Sequence, residues 1–247
     1  MNPVSGDASP RSNVTLVVTV VCGTLLFMLF AALGSWQIQR LNWKRQLIAR
    51  VEQRVHAGAV APPAKSAWPQ ISAESDEYRH VRVSGVFLDA VTTKVLASTV
   101  LGRGYWVLTP LRVADGSIVF VNRGFIAANL TAIAPSADGE ITGLLRMSEP
   151  GGAFLHNNDP DHQLWYSRDV QAIAAAHHLS GVAPYFIDAD ASVTPATDAA
   201  NVPVGGLTVI AFNNNHLVYT LTWFALALMV AGACFHLVRS ELKVRGS

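Results

Sequence analysis

Two uninterrupted apolar runs bracket the chain. Val14–Leu33 holds 20 residues without a charge, and Leu217–Val238 holds 22 whose only ionisable side chains are Tyr219, Cys234 and His236. At ~1.5 Å per helical residue each covers ~30 Å, the thickness of a bilayer's hydrocarbon core, so both predict membrane-spanning helices. The first run is longer than the ~7–15 residues of a signal peptide's apolar region and lacks a convincing small-x-small cleavage site, so it reads as a retained anchor. Beyond it, "GSWQIQRLNWKRQLIARVEQR" keeps helix-forming residues without a break, which predicts that the helix continues past the membrane. Trp36, Arg40 and Trp43 then share a face at i, i+4 and i+7. Tryptophan favours the interfacial belt, and arginine can extend its head to lipid phosphates, so this face suits either headgroup anchoring or a ligand.

Between the runs lie about 180 residues, enough for one globular domain. Residues 57–76, with "APPAK" and "AESD", predict a linker or loop. The period then falls towards two. "YRHVRVSGVFL" and "TTKVLAS" read as strands, and "YWVLTPLRVADGSIVFVNRGFI" as a hairpin turning near Asp115-Gly116, with Pro110 at an edge or a bulge. Further strands are expected at Glu140–Met147, Gln163–Ser167, Pro184–Asp188 and Leu207–Phe212, and a short helix at Asp169–Leu179 ending at Gly181. The expected fold class is a membrane protein with two transmembrane α-helices flanking a mainly antiparallel β (α+β) extramembrane domain. Its expected divisions are a cytoplasmic tail (1–13), a first span (14–34), the β-rich domain with an interfacial helix (35–212), a second span with a polar N-terminal cap (213–238) and a cytoplasmic tail (239–247).

Composition agrees with this picture: 51% of residues are hydrophobic, and mean hydropathy is +0.30. A net charge of +1 gives no sign of a nucleic-acid binder, and no basic tract suggests one. Cys22 and Cys234 lie one in each span, with no CxxC and no Met-rich tract, which argues against thiol redox chemistry and a copper-thiolate site. A disulfide is not expected either, since a hairpin would put Cys22 near mid-membrane and Cys234 towards the far end of its helix. Charge leaves orientation in conflict. Arg40, Lys44, Arg45, Arg50 and Arg54 after the first span favour a cytoplasmic domain. Arg239, Lys243 and Arg245 after the second, with no Lys or Arg between Arg168 and Arg239, favour the reverse.

No GxSxG, Walker loop, HExxH or post-strand GxGxxG is present. "HNNDPDHQ" could hold a metal through His156, Asp159, Asp161 and His162, but its spacing fits a solvated turn better. His177 and His178 are adjacent and diverge from a helix, so they cannot easily share an ion. Arg123 in "VNRGF" offers a planar fork for a carboxylate, with an internal ion pair as the plain alternative. "FNNNHLVYTLTWFALALMV" (Phe212–Val230) crowds polar groups at a membrane boundary. If the helix starts near His216, one of Asn213–Asn215 can cap it, which explains the asparagines without a ligand. His216, Tyr219 and Trp223 then share a face at i, i+3 and i+7. A helix N-terminus favours neutral imidazole, the form that ligates a metal, haem iron included. Capping and ligation both stay open on these residues.

In order along the chain, "LGSWQIQRLNWK", "GRGYWVLTPL", "FVNRGFI", "LLRMSEP", "WYSRD", "PVGGL" and "NNHLVYTLTWFALA" make the sequence similar to the Surfeit locus protein family of cytochrome c oxidase assembly factors. Phe125 departs from the tryptophan frequent in that family. The resemblance implies two membrane helices in the cell inner membrane with a periplasmic domain, or the mitochondrial inner membrane with the domain in the intermembrane space. It implies a non-enzymatic, chaperone-like role in respiratory chain biogenesis, delivering or inserting haem a into oxidase subunit I alongside haem A synthase. Within it His216 matches the proposed haem-iron ligand. Tyr219 and Trp223 are expected to flank the porphyrin, and Arg40, or else Arg123, to meet its propionates. Membrane lipids are the other expected partner, and nucleic acid is not one. A scaffold that stabilises oxidase subunit intermediates without touching cofactor is the competing expectation.

Overall fold

The computed structural model describes residues 12–130, 138–153, 155–191, 202–208 and 215–245. The chain divides into two compact units, residues 1–49 with 211–247, and residues 50–210.

The first unit is a pair of helices, α1 (Asn13–Val55) and α4 (His216–Arg245), each long and apolar enough to cross a membrane. As expected, α1 runs on through the Trp/Arg-rich stretch, with six residues (Arg50–Val55) entering the second unit. Small residues set the contact. A Cβ on Gly34 would lie 2.9–3.1 Å from the Phe224 ring, and one on Gly23 would collide with Cys234 Sγ. Phe30 stacks on Trp223 at 5.8 Å, and Arg245 Nη1 donates to Asn13 Oδ1 at 2.6 Å. These pairs define an antiparallel register with close backbones, the usual solution where apolar burial gives helices no reason to associate. The hydroxyls of Thr19, Thr24, Thr220 and Thr222 donate to carbonyls four residues back, so no water is needed to satisfy them. One expectation is corrected here. Gly23 faces Cys234, so the two cysteines lie at neighbouring depths rather than far apart, because α4 extends to Arg245. Cys22 nevertheless points outward, and both thiols are free.

The second unit is a barrel. Strands β1 (His80–Phe87), β5 (Asp138–Met147), β6 (Val182–Ala189), β4 (Ile118–Ala127) and β3 (Gly102–Val113) pair in that order, and β1 pairs again with β3 to close the ring. β2 (Thr93–Thr99) lies outside the ring, against β3. All pairings are antiparallel except β4 with β6. Side-chain alternation builds two cores. Val81, Val83, Leu111, Val119, Val121, Leu145, Tyr185 and Ile187 fill the barrel. Phe120 and Phe186 turn outward to meet Val95, Trp165 and the helix α3 (Val170–Ala176). β4 is thus buried on both faces, which is why its start, residues 118–121, is apolar without alternation.

Several elements differ from expectation. Residues 57–76 are not a loose linker: Val60 bridges to Val81, a 3₁₀ turn covers Lys65–Gln70, and α2 spans Ala73–Asp76. Trp68 packs on the barrel core and shares the Pro63 carbonyl with the Tyr185 hydroxyl at 3.2 and 3.1 Å. Burial pushes the Tyr185 phenol up to about 12. Pro110 is neither at an edge nor in a bulge. It sits buried where the flank of β3 passes from β2 to β1, a point at which the strand owes no N–H, while its carbonyl accepts from Leu88. Gln163–Ser167 forms single bridges rather than a strand, because Asn158 takes the N–H groups of Tyr166 and Ser167. Leu207 and Thr208 are not in a strand, and the rest of that expected strand lies outside the described residues. The hairpin at Asp115-Gly116 is present, with Gly116 at φ +80°.

Candidate functional site

α4 begins at His216, and the Asn215 carbonyl accepts the Tyr219 N–H at 3.3 Å. Asn213 and Asn214 lie outside the described residues. A stripe of α4 faces α1: His216, Thr220, Trp223 and Phe224, then Ala227. At its head His216 Nδ1 lies 2.8 Å from Oε1 of Gln37, a buried residue between the exposed Trp36 and Ile38. An amide carbonyl only accepts, so in this contact Nδ1 is the donor, and in the neutral ring Nε2 then carries the lone pair. That is the donor arrangement a metal-bound histidine uses, with its far nitrogen held by an oxygen. Tyr219 is 53% exposed beside this stripe, whereas Trp223 is packed against Phe30. Arg40 is exposed, one helical turn beyond Gln37, with its guanidinium 4.0 Å above the Trp43 ring. The helix pair therefore assembles His216, Gln37, Tyr219 and Arg40 at one end.

Arg123 belongs to the barrel instead. Its side chain is 6% exposed, Nη1 pairs with Asp89 at 2.9 Å, and the guanidinium lies 3.7 Å over Phe87. Burial pulls its pKa down against the Asp89 carboxylate. This is the internal ion pair weighed as its plain alternative. The neighbouring Gly124, at φ +130°, lets the Val204 backbone come so close that a Cβ would collide with it.

The barrel's outer face carries a buried ion network that sequence reasoning did not single out. Asp188, 4% exposed, accepts from Asn122 Nδ2 (2.7 Å), Arg146 Nη1 (3.1 Å), Arg168 Nη1 (3.1 Å) and Thr208 Oγ1 (3.0 Å). Arg168 also grips Glu149 through Nε and Nη2, and Arg146 reaches Glu77 at 3.3 Å. Burial works against ionised Glu149, but Arg168 outweighs it and holds the carboxyl below its usual range. Asp188, Arg146, Arg168 and Thr208 line, with Trp106 and Thr99, a cavity of about 230 Å³. Three quoted motifs, "GRGYWVLTPL", "LLRMSEP" and "WYSRD", meet here through Trp106, Arg146 and Arg168. An arginine inside the apolar "LLRM" strand was the available signal.

The remaining candidates are local. His162 Nδ1 is 2.8 Å from Asp159 in an exposed turn, and His156 stacks on Tyr166 at 4.9 Å. His177 contacts Thr93 Oγ1 at 2.9 Å, and burial, then its neighbour His178, lowers its pKa. Among the described residues no group of three or more His, Cys, Asp or Glu side chains could hold a metal ion. His216 is left as the candidate ligand with a built environment.

Two membrane-spanning helices, a small closed barrel between them in sequence and a polar histidine site on the helix pair define a membrane-anchored β-barrel protein. The SURF1 family profile matches residues 24–228. Surfeit locus protein 1 of Rattus norvegicus is 34% identical over 217 residues, covering 78% of this chain and 67% of the relative. The Homo sapiens protein of the same name is 31% identical over 218 residues (79% and 69%). A SURF1-like protein of Monosiga brevicollis is 32% identical over 213 (79% and 78%). The chain belongs to the SURF1 family.

Proposed function

We propose that this protein is a non-enzymatic assembly factor for a haem-copper oxidase of the cytochrome c type, binding haem a through His216 and passing it towards oxidase subunit I. Membership of the SURF1 family supports the assembly role. The observation that carries the haem reading is the His216–Gln37 contact, which engages Nδ1 and leaves Nε2 as the ring nitrogen available to a ligand at a membrane helix terminus. The site's donor set suits haem: an imidazole, an exposed aromatic ring at Tyr219 and an exposed guanidinium at Arg40. When bound, the haem would supply iron for His216 and carboxylates for Arg40. The protein itself holds the ligand nitrogen and shields the site by helix packing. Its setting is the cell inner membrane with the barrel in the periplasm, in contact with lipids, haem A synthase and subunit I.

Co-expression with the haem a pathway and an absorption spectrum of the purified protein test the reading. His216→Ala should lose the bound-haem spectrum while still inserting. His236→Ala should keep it, because its side chain is 20 residues further along α4, ~30 Å away at ~1.5 Å per residue. Wild-type haem stoichiometry and an unchanged spectrum in His216→Ala would exclude ligation by His216, and a wild type that carries no haem would leave a cofactor-free scaffold.

A further inference from the structure

Gln37 is an unusual residue to bury. It is 9% exposed, although the residues on either side of it, Trp36 and Ile38, are 55% and 41% exposed. Burying an amide costs free energy unless it is hydrogen-bonded, and the contact that compensates is His216 Nδ1 at 2.8 Å, across the helix pair. The contact is separated by 179 positions in sequence, so it exists only when α1 and α4 pair in the register set by Gly34 with Phe224 and Phe30 with Trp223.

We infer that Gln37 is the positioning residue of the His216 site. Its amide carbonyl accepts the Nδ1–H, locks one tautomer and one ring orientation, and so decides that Nε2 is the nitrogen offered to iron. The inference rests on the haem reading for its purpose, but the tautomer it requires exists without haem. Rotating the amide by half a turn would reverse the assignment: its NH₂ would donate to Nδ1, the ring proton would move to Nε2, and that nitrogen could no longer ligate. A hydrogen-bonded Nδ1–H also gives the ring partial imidazolate character, which strengthens its bond to a metal. Loss of such an outer partner typically costs ~10–100-fold in metal affinity.

The test has a haem-free arm and a haem-loaded arm. In the haem-free, full-length protein in lipid, ¹⁵N NMR of the His216 ring should show Nδ1 protonated and Nε2 bare. Gln37→Leu should shift the ring towards the Nε2–H tautomer. Gln37→Asn, one methylene too short to reach, should do the same and guards against a folding defect in the leucine variant. In haem-loaded ferrous protein, the iron–histidine stretch should fall in Gln37→Leu and rise in Gln37→Glu, whose carboxylate is the stronger acceptor. Haem retention in Gln37→Leu should weaken ~10-fold or more. An Nε2–H tautomer in the wild type, or ring shifts unchanged in both Gln37→Leu and Gln37→Asn, would overturn the inference. A wild type that shows the expected tautomer but retains no haem would sink the haem reading alone.

Discussion

Arg40 and Arg123 carry the same guanidinium in opposite settings, and the setting decides what each can do. Arg123 is spent inside the barrel on Asp89 and Phe87, so turning it to a ligand would break an ion pair whose guanidinium is buried. Arg40 rests on Trp43, a contact of ~0.5–1 kcal/mol at an exposed site, and can be redirected at small cost. It stands one turn, ~5 Å, beyond Gln37 on α1. Arg40→Ala should therefore weaken haem retention more than Arg40→Lys, which keeps charge but loses the planar fork. Equal retention in the wild type and both variants would dispose of a propionate role. His80 shows how a residue can tie loops to the barrel. Its Nε2 lies 2.8 Å from an Asp190 carboxylate oxygen and its Nδ1 3.0 Å from the Ala57 carbonyl. Both partners only accept, so both bonds form only with the doubly protonated ring. Burial opposes that charge, but Asp190 and Ala57 outweigh it, and the pKa is raised above 6.5. A raised folded-state value means the contribution is complete below the unfolded pKa and is lost as pH rises through the folded one. Across a series from about pH 6 to 8, wild type should lose thermal stability relative to His80→Gln, by less than ~1 kcal/mol for so exposed a pair. Parallel profiles for the two proteins would show that His80 is not the titrating tie.

At the level of elements, Asp188 explains why the barrel's outer face holds together. It joins β6 to β4 through Asn122, to β5 through Arg146, and to two connecting segments through Arg168 and Thr208. Removing one partner from a buried network costs more than the network contributes, because the others are left charged and dry. Asp188→Ala leaves Arg146 and Arg168, whose side chains are 15% and 13% exposed, with only Glu77 and Glu149 to balance them, and should lower stability by up to ~3–5 kcal/mol. A thermal melt of the full-length variant within error of wild type would contradict this. The network also marks where sequence reading stopped. The two spans, the hairpin at Gly116 and α3 were legible because each follows from local period or turn chemistry. Barrel closure was not, since the β1–β3 and β4–β6 pairings depend on which strand meets which across the fold. The ion network inherits that limit: Asp188 and Arg168 are 20 residues apart, and Asn122 and Asp188 are 66 apart. His216 was legible because a histidine and asparagines at the edge of a membrane run stand out in one dimension. Gln37 was not, although it sits within a quoted motif, because its meaning lies in the register between two helices.

For the molecule as a whole, the conflict over orientation is eased by where the basic residues after the first span are used. The positive-inside rule counts Lys and Arg that stay near the membrane in short loops. Arg50 instead pairs with Glu74 at 3.6 Å, and Arg54 donates to the carbonyls of Glu77 and Glu74 at 3.2 and 2.6 Å. Both belong to the barrel unit and lie 16 and 20 positions past residue 34 (50 − 34 and 54 − 34), at the far limit of the ~15–20 residues over which such charges count. The cluster after the first span loses two of its five members by this argument. Arg239, Lys243 and Arg245 at the end of α4 face no opposing Lys or Arg between Arg168 and Arg239, so the second span's preference is undiluted. Since α1 and α4 pair antiparallel, one orientation must serve both, and the undiluted charge favours the barrel outside the cytoplasm. In a bacterial host, alkaline phosphatase fused near residue 60 should be active, and fusions at either terminus inactive. An inactive fusion near residue 60 with active terminal fusions would place the barrel in the cytoplasm and put His216 at the opposite membrane face from the one proposed.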